Sequence, residues 1–289
     1  MTKQKPKPVQ AVAPKRKKMN PKKRAKAPSR AMVRIEAPPP SIPWSPHGIV
    51  LALQYWTGDE KRAFELARLI ADLESVRRQD VALFFCCDDE TVQSQALLDT
   101  QQYCGNKFYT GVFQSGEAGH GYPAGPNALW ANCMKFFYRQ WCAGVLRFES
   151  VFTMESDSAP LRRDWISQII NAHRETLDSG MLITGAHLKN HYTPHVNGNL
   201  VAHVSIVRNF PELLETPPAV AWDIHHRVTL RRLTRPDHVI RSEHRSVKWS
   251  KESLTSMATE TAWLHGVIDN SGLQFAKSLL PQAAERQGR

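Results

Sequence analysis

GIVLALQYWTGDEKRAFELARLIADLESVRRQDVALFFCC, residues 48–87, holds two apolar runs separated by one amphipathic segment. The first run, 48–55, is short, almost wholly apolar and bounded by breakers, which is the pattern of a buried strand. Thr57-Gly58-Asp59 is a turn. Residues 60–77 then carry Ala63, Phe64, Ala67, Ile70 and Leu73 at helical spacing, so one face of a helix is apolar. The second run, 81–87 (VALFFCC), is another buried strand, ending in Asp88-Asp89-Glu90. Strand, helix and strand with short connections predict a parallel sheet covered by helices.

The same alternation continues downstream. A strand is expected over 107–113, a Gly-rich loop over 116–125, and a helix over 127–142 opened by Pro126, whose fixed φ suits a first helical turn. Residues 147–154 (RFESVFTM) read as a central strand with Glu155-Ser156-Asp157 at its tip. A helix over 162–177 turns Trp165, Ile169 and Ile170 inward, and 181–186 is a further strand. Beyond residue 211 the periodicity weakens: Pro217-Pro218 marks a loop, His238-Val239-Ile240 a short strand, and 251–267 a helix before a frayed end. No internal repeat is visible. The expected class is α/β, a mostly parallel open sheet flanked by helices.

Charge divides the 289-residue chain in two. The formal net charge is +11, yet residues 1–34 hold 13 Lys and Arg and no acid, leaving 25 basic against 27 acidic residues elsewhere. A block so charged and so poor in apolar residues cannot bury enough surface to fold. The Pro-rich stretch 37–43 is a stiff linker. The expected organisation is therefore a disordered basic tail and linker over 1–46 and one folded domain over 47–289. The tail is suited to phosphate contact, steering toward a polyanion, or nuclear targeting; the plain alternative is a solubilising extension. It has no apolar stretch of the secretory kind, and no run approaches the length of a membrane span. Five cysteines without a C-x-x-C pair argue against a disulfide framework or zinc ribbon. All but Cys104 sit in apolar stretches, as buried free thiols do, and a cytoplasmic compartment is the expectation.

In open parallel sheets ligands lie outside the carboxyl ends of the strands. Asp88 and Asp89, Glu155 and Asp157, and Asp223 fall at or near such ends. Two carboxylates at i and i+2 just past a strand can hold one hard cation, Mn²⁺ or Mg²⁺, whose remaining positions go to diphosphate oxygens and water. Such an ion offsets the charge of a departing nucleoside diphosphate.

Met154-Glu155-Ser156-Asp157-Ser158-Ala159-Pro160-Leu161, followed by Trp165, resembles the metal-binding segment of the GT-A glycosyltransferases, usually written D-x-D, with Glu at the first position here. Gly121-Tyr122-Pro123-Ala124-Gly125-Pro126-Asn127 resembles the glycine loop and helix start that approach the donor's sugar and diphosphate in that fold. His195-Val196-Asn197-Gly198-Asn199 is similar to an acceptor- or sugar-side loop. Ala221-Trp222-Asp223 stands where these enzymes carry a catalytic or sugar-binding acid. His244, after Val239-Ile240-Arg241, resembles the late histidine that completes the metal or diphosphate site. The likeness runs over residues 47–250. It implies a nucleotide-sugar donor, a UDP-sugar favoured, with Glu155, Asp157 and His244 on the metal. Tyr55, Trp56, Asp88, Gly121, Gly125, Asn127, Ser156 and Asn197 are the implied donor contacts. Asp223 is the implied general base if transfer inverts, with His195 competing for that role. Tyr55 and Trp56 read equally well as core aromatics, and Asp88 as a turn residue.

His187, His191 and His195 recur every four residues, but Gly185 and Pro194 speak against the helix that would make them a zinc face. His225 and His226, adjacent, would face opposite ways on a strand. Arg227, Arg231, Arg232, Arg235, Arg241, Arg245 and Lys248 form the one basic cluster outside the tail. Arginine clusters hold a phosphate backbone without reading sequence. The expected acceptor is accordingly DNA with a hydroxylated base, such as a 5-hydroxymethylpyrimidine, as in viral DNA modification. A glycan, lipid-linked sugar or protein acceptor is the alternative within this class. Outside it stand a nucleotidyltransferase and a non-catalytic nucleic-acid-binding protein.

Overall fold

The structure, a computed structural model, describes residues 48–88, 94–116, 121–188, 193–243, 247–267 and 269–280. The basic tail and linker lie outside the described residues, as do Asp89, His191, His244 and Arg245. In chain order the elements are β1 (Ile49–Tyr55), α1 (Glu60–Leu73), β2 (Val81–Cys87), α2 (Gln95–Gly105), β3 (Tyr109–Gln114), α3 (Ala124–Cys142), β4 (Ser150–Glu155), β5 (Ser158–Pro160) and α4 (Trp165–Asp178). They continue as β6 (Ile183–Leu188), β7 (His195–His203), α5 (Ile206–Asn209), α6 (Trp222–His225), α7 (Arg227–Leu233), β8 (Thr234–Pro236), β9 (Ile240–Ser242), α8 (Lys251–Met257), β10 (Trp263–His265) and α9 (Ser271–Ser278).

The main sheet has the order β3-β2-β1-β4-β7-β6-β8. Its pairs are parallel except those of β7, which runs antiparallel to both β4 and β6. The strand order reverses at β1, which pairs β2 on one side and β4 on the other. That reversal opens a crevice beyond the carboxyl ends of β1 and β4, the place where such sheets take ligands. A second, three-stranded sheet, β5-β10-β9, closes over the end of β4.

Both faces of the main sheet are covered, which explains why β1 and β2 are apolar without alternation. Ile49, Leu51, Leu53 and Tyr55 pack among Phe64, Ile70, Trp165 and Leu273 from α1, α4 and α9. Val50 and Ala52 pack on the other face with Trp130, Met134 and Phe137 of α3 and Leu230 of α7. The period-2 reversal of side chains along one strand feeds both layers.

Four local expectations are corrected. Residues 195–199 form the start of a strand, not a loop, because backbone pairing with β6 outweighs their polar composition. The helix expected over 251–267 ends at Met257, and Trp263–His265 returns as a strand between β5 and β9. Asp223 and the His225–His226 pair sit on or beside a single helical turn, not a strand. Cys104 is buried, while Cys142 is exposed. His187 and His195 lie on neighbouring antiparallel strands, so they share no helical face.

Gly266, directly after β10, has φ +92, a left-handed conformation that side-chain-bearing residues avoid. A Cβ there would lie 2.2 Å from the Glu243 carbonyl oxygen. The same turn sends the N–H groups of Gly266 and Val267 to the Asp157 carbonyl, at 3.1 and 2.9 Å. Gly266→Ala is expected to destabilise the fold by about 2 kcal/mol or more through strain and clash. A thermal melt checks this: an unchanged Tm would show that the turn is not constrained as described.

Candidate functional site

The carboxyl end of β4 is built asymmetrically. On the β1 side the parallel pairing runs as far as Gln54 opposite Glu155. On the β7 side the ladder stops at Phe152 opposite Val201. From there side chains take over. Thr153 Oγ1 reaches the carbonyls of Gly198 and Leu200, at 2.6 and 3.1 Å. Asn199 Oδ1 accepts the Glu155 N–H at 3.1 Å and the Ser158 hydroxyl at 3.0 Å. The strand tip is thereby held slightly away from β7, and the Glu155-Ser156-Asp157 turn passes from β4 into β5.

β10 brings a third group to this turn. His265 pairs with Ser158 on one side and Ser242 on the other. Its Nε2 lies 3.3 Å from Oε2 of Glu155 and 3.2 Å from Oδ1 of Asp157, within ion-pair reach of both. Its Nδ1 is engaged by the Ser242 hydroxyl at 2.8 Å, which fixes the plane of the ring. One donor atom from each of Glu155, Asp157 and His265 falls within a common 4.8 Å. Separations near 3.2 Å match the roughly 3 Å edge of an octahedral shell with bonds of about 2.1 Å. The residues therefore fit a divalent cation: two hard carboxylates and one imidazole whose free nitrogen faces both. Arg62 of α1 donates to the Val267 carbonyl and ties the far side of this turn to the main body.

Burial disfavours a charged imidazole, but the Glu155 charge and the adjoining Asp157 carboxylate outweigh it and push the His265 pKa up to about 10. Either a proton or a metal ion must supply positive charge here.

Across Gly198 from Glu155 lies a second pair. A Cβ on Gly198 would sit 3.6 Å from Glu155 Oε1 and 3.6 Å from the Trp222 ring, so the two sides approach each other over a bare backbone. His195 Nε2 is 3.7 Å from Oδ2 of Asp223. His195 Nδ1 lies 2.7 Å from the Thr193 carbonyl, which can only accept, so Nδ1 carries a proton. Asp223 Oδ1 accepts the Ile224 N–H at 2.9 Å. Burial raises the Asp223 pKa above the usual carboxylate range; His195 pulls it back, and Glu155 pushes it further up. A carboxylate of raised basicity beside a histidine is the equipment of a general base.

The other expected site residues distribute unevenly. Asn127 is 1% exposed, and its amide is spent on backbone: Nδ2 donates to Pro217 and Val220 carbonyls, and Oδ1 accepts the Trp222 N–H. These bonds hold the segment that carries Asp223. Trp222 itself stacks on Trp130, with centroids 3.7 Å apart. Tyr55 is a core aromatic, edge-on to Phe64, and its buried hydroxyl cannot present itself to a base. Trp56, at the end of β1, is 59% exposed, and Asp88 stands at the end of β2, so both border the crevice. Gly121 has φ +68 just before α3, while Gly125 lies inside its first turn. Ser156 is buried between the two carboxylates. Asn197 Oδ1 caps the Asn199 N–H at 2.9 Å. His265 was not expected from the sequence; its one signal was its place at the end of the short apolar run Trp263-Leu264-His265, next to a glycine.

The basic cluster is partly neutralised. Arg235 pairs with Glu175 at 3.0 Å and Arg241 with Glu243 at 2.6 Å. Arg227, Arg231, Arg232 and Lys248 are exposed and make no ion pair among the described residues.

No family model and no curated protein matches this chain. Among solved structures it is similar to a glycosyltransferase involved in glycosylation of the major capsid of PBCV-1, at 9% identity and TM-score 0.45, over 80% of this chain and 98% of that one. It is also similar to the WbbM bifunctional glycosyltransferase, at 10% identity and TM-score 0.45, over 83% of this chain and 51% of that one. A third is mouse xyloside xylosyltransferase 1, at 10% identity and TM-score 0.41, over 76% of this chain and 98% of that one.

Because His265 holds a proton below about pH 10, a cation that uses its Nε2 must displace that proton. Affinity for Mn²⁺ should therefore rise with pH from about 6 to 9, by up to about tenfold per unit, and fall as pH drops. Calorimetric titration in buffers of different protonation enthalpy measures this directly. About one proton should be released per ion; pH-independent binding with no release would exclude His265 as a ligand.

Proposed function

We propose that this chain is a metal-dependent glycosyltransferase that moves a sugar from a nucleotide-sugar donor to a hydroxyl acceptor. The observation that carries the reading is the meeting of Glu155, Asp157 and His265 at the strand-order reversal, with the Asp223–His195 pair on the other side of Gly198. Glu155, Asp157 and His265 would hold the cation, and a bound divalent ion would offset the charge that builds on the departing diphosphate. The imidazole nitrogen favours Mn²⁺ over Mg²⁺, which prefers oxygen ligands. Trp56 and Asp88, at the ends of β1 and β2, stand on the side of the sheet where the nucleotide is expected.

Transfer balances simply. The acceptor oxygen bonds to the anomeric carbon, the bond from that carbon to the diphosphate oxygen breaks, and nucleoside diphosphate leaves. Asp223 takes the proton of the acceptor hydroxyl, and its raised basicity supports that role in an inverting reaction. His195, with its Nε2 3.7 Å from Asp223, favours the ionised carboxylate that is ready to take the proton. Asn127 and the Trp130–Trp222 stack keep Asp223 in place.

For the acceptor we propose DNA bearing a hydroxylated pyrimidine. The 13 basic residues of 1–34 and the exposed Arg227, Arg231, Arg232 and Lys248, which make no ion pair among the described residues, support a polyanion. The ion pairing of Arg235 and Arg241 favours the second reading, an uncharged glycan acceptor.

Release of nucleoside diphosphate from a panel of nucleotide sugars with Mn²⁺, with hydroxymethylated DNA or with a glycan, tests both. Release that requires the DNA supports the first acceptor; release raised only by the glycan supports the second. Asp157→Ala should lower kcat/KM at least about a hundredfold. Asp223→Asn should lower kcat by roughly 10²–10⁴ with Mn²⁺ affinity retained. Full activity in Asp157→Ala would remove the metal from the mechanism. Deleting residues 1–34 should weaken DNA binding and flatten its salt dependence.

A further inference from the structure

We infer that Asn199 is the positioning residue of the metal centre, a role that rests on the metal reading given above. Three observations converge on it. First, β4 and β7 part company after Phe152 and Val201, so the strand tip that carries Glu155 is held by a backbone ladder on its β1 edge only, and the β7 edge is left to side chains. Second, Asn199 is fully buried and spans this gap with one oxygen. Oδ1 takes the N–H of Glu155 and the hydroxyl of Ser158, the residues immediately at the two ends of the Ser156-Asp157 turn. One acceptor thus fixes where the turn leaves β4 and where it enters β5. Third, Asn199 is itself locked. Its N–H goes to Asn197 Oδ1, and the Thr153 hydroxyl grips the carbonyls on both sides of it, those of Gly198 and Leu200.

The amide is oriented by its partners. An N–H donor at Glu155 requires the oxygen on that side, so Nδ2 points elsewhere, and it has no hydrogen-bond partner among the described residues. An unsatisfied buried amide N–H is costly. An apolar residue of similar size would avoid that cost and lose only the two accepted bonds. What the asparagine supplies is therefore the oxygen, and the oxygen acts on the peptide of one cation ligand and on the turn that carries the other. Residues that orient ligands in this way typically change metal affinity when removed.

The test is direct binding of Mn²⁺ to the full chain, followed by calorimetry or by the loss of free-ion paramagnetic resonance signal, without any substrate. Asn199→Ala should weaken Mn²⁺ binding by about ten- to a hundredfold in protein that still melts cooperatively. Asn199→Asp keeps the acceptor and should lose less Mn²⁺ affinity than Asn199→Ala. A merely structural residue would lower Tm on truncation but leave the Kd of the folded protein unchanged, and that result overturns the inference. Should Asn199→Ala not fold, Ser158→Ala removes one of the two bonds at a smaller site; a Kd unaltered in that variant overturns the inference equally. If the original chain itself fails to bind Mn²⁺, the metal reading falls, and this inference falls with it; normal binding in both the original and Asn199→Ala removes the inference alone.

Discussion

Two carboxylates and an imidazole share a space less than 5 Å across, and that crowding demands a positive charge. Two like charges about 4 Å apart repel by roughly 4 kcal/mol at the effective dielectric of a protein's outer layers. Asp157 and His265 are largely withdrawn from water, so solvent does little to relieve it. The rest of the molecule is arranged around that demand. The main sheet reverses its order at β1 and so opens the crevice; the small sheet carries the histidine; and Gly266 accepts a left-handed turn so that two backbone N–H groups can brace the Asp157 peptide.

The site has two halves on different elements. The proposed cation ligands come from the β4–β5 turn and β10, while the proposed general base and its histidine come from α6 and β7. Gly198 is the boundary, and it is narrow because no side chain stands there. The base half is held by packing and not by charge: Trp222 lies on Trp130, and the buried Asn127 amide binds three backbone groups around it. Such an arrangement lets a carboxylate remain buried and basic next to a site that gathers negative charge, because each half is fixed by neutral contacts of its own.

Much of the fold could be read from residue order alone. β1, β2 and the helices after them announce themselves through runs and periods that follow directly from which faces are buried. The acidic pair was legible for the same reason: it closes an apolar strand. β7 was not, because Asn199 uses its side chain to hold β4 and β5 while Asn197 braces the backbone of its own strand, and polar residues in those roles look like a loop. β10 was not, because three residues are too few to show a period. His265 escaped notice because nothing local marks it; only the pairing of Trp263–His265 with β5 brings it to Asp157. Asn127, implied as a donor contact by the resemblance, is buried with its amide on backbone groups, and Tyr55 packs edge-on to Phe64 as the core reading expects.

Diffraction from crystals soaked in Mn²⁺, with anomalous maps at the manganese edge, tests the central claim most directly. The account predicts one strong peak about 2.1–2.3 Å from oxygen atoms of Glu155 and Asp157 and from Nε2 of His265. A peak bound elsewhere, or a site that stays empty at saturating Mn²⁺ while His265 keeps its proton between the two carboxylates, would contradict it.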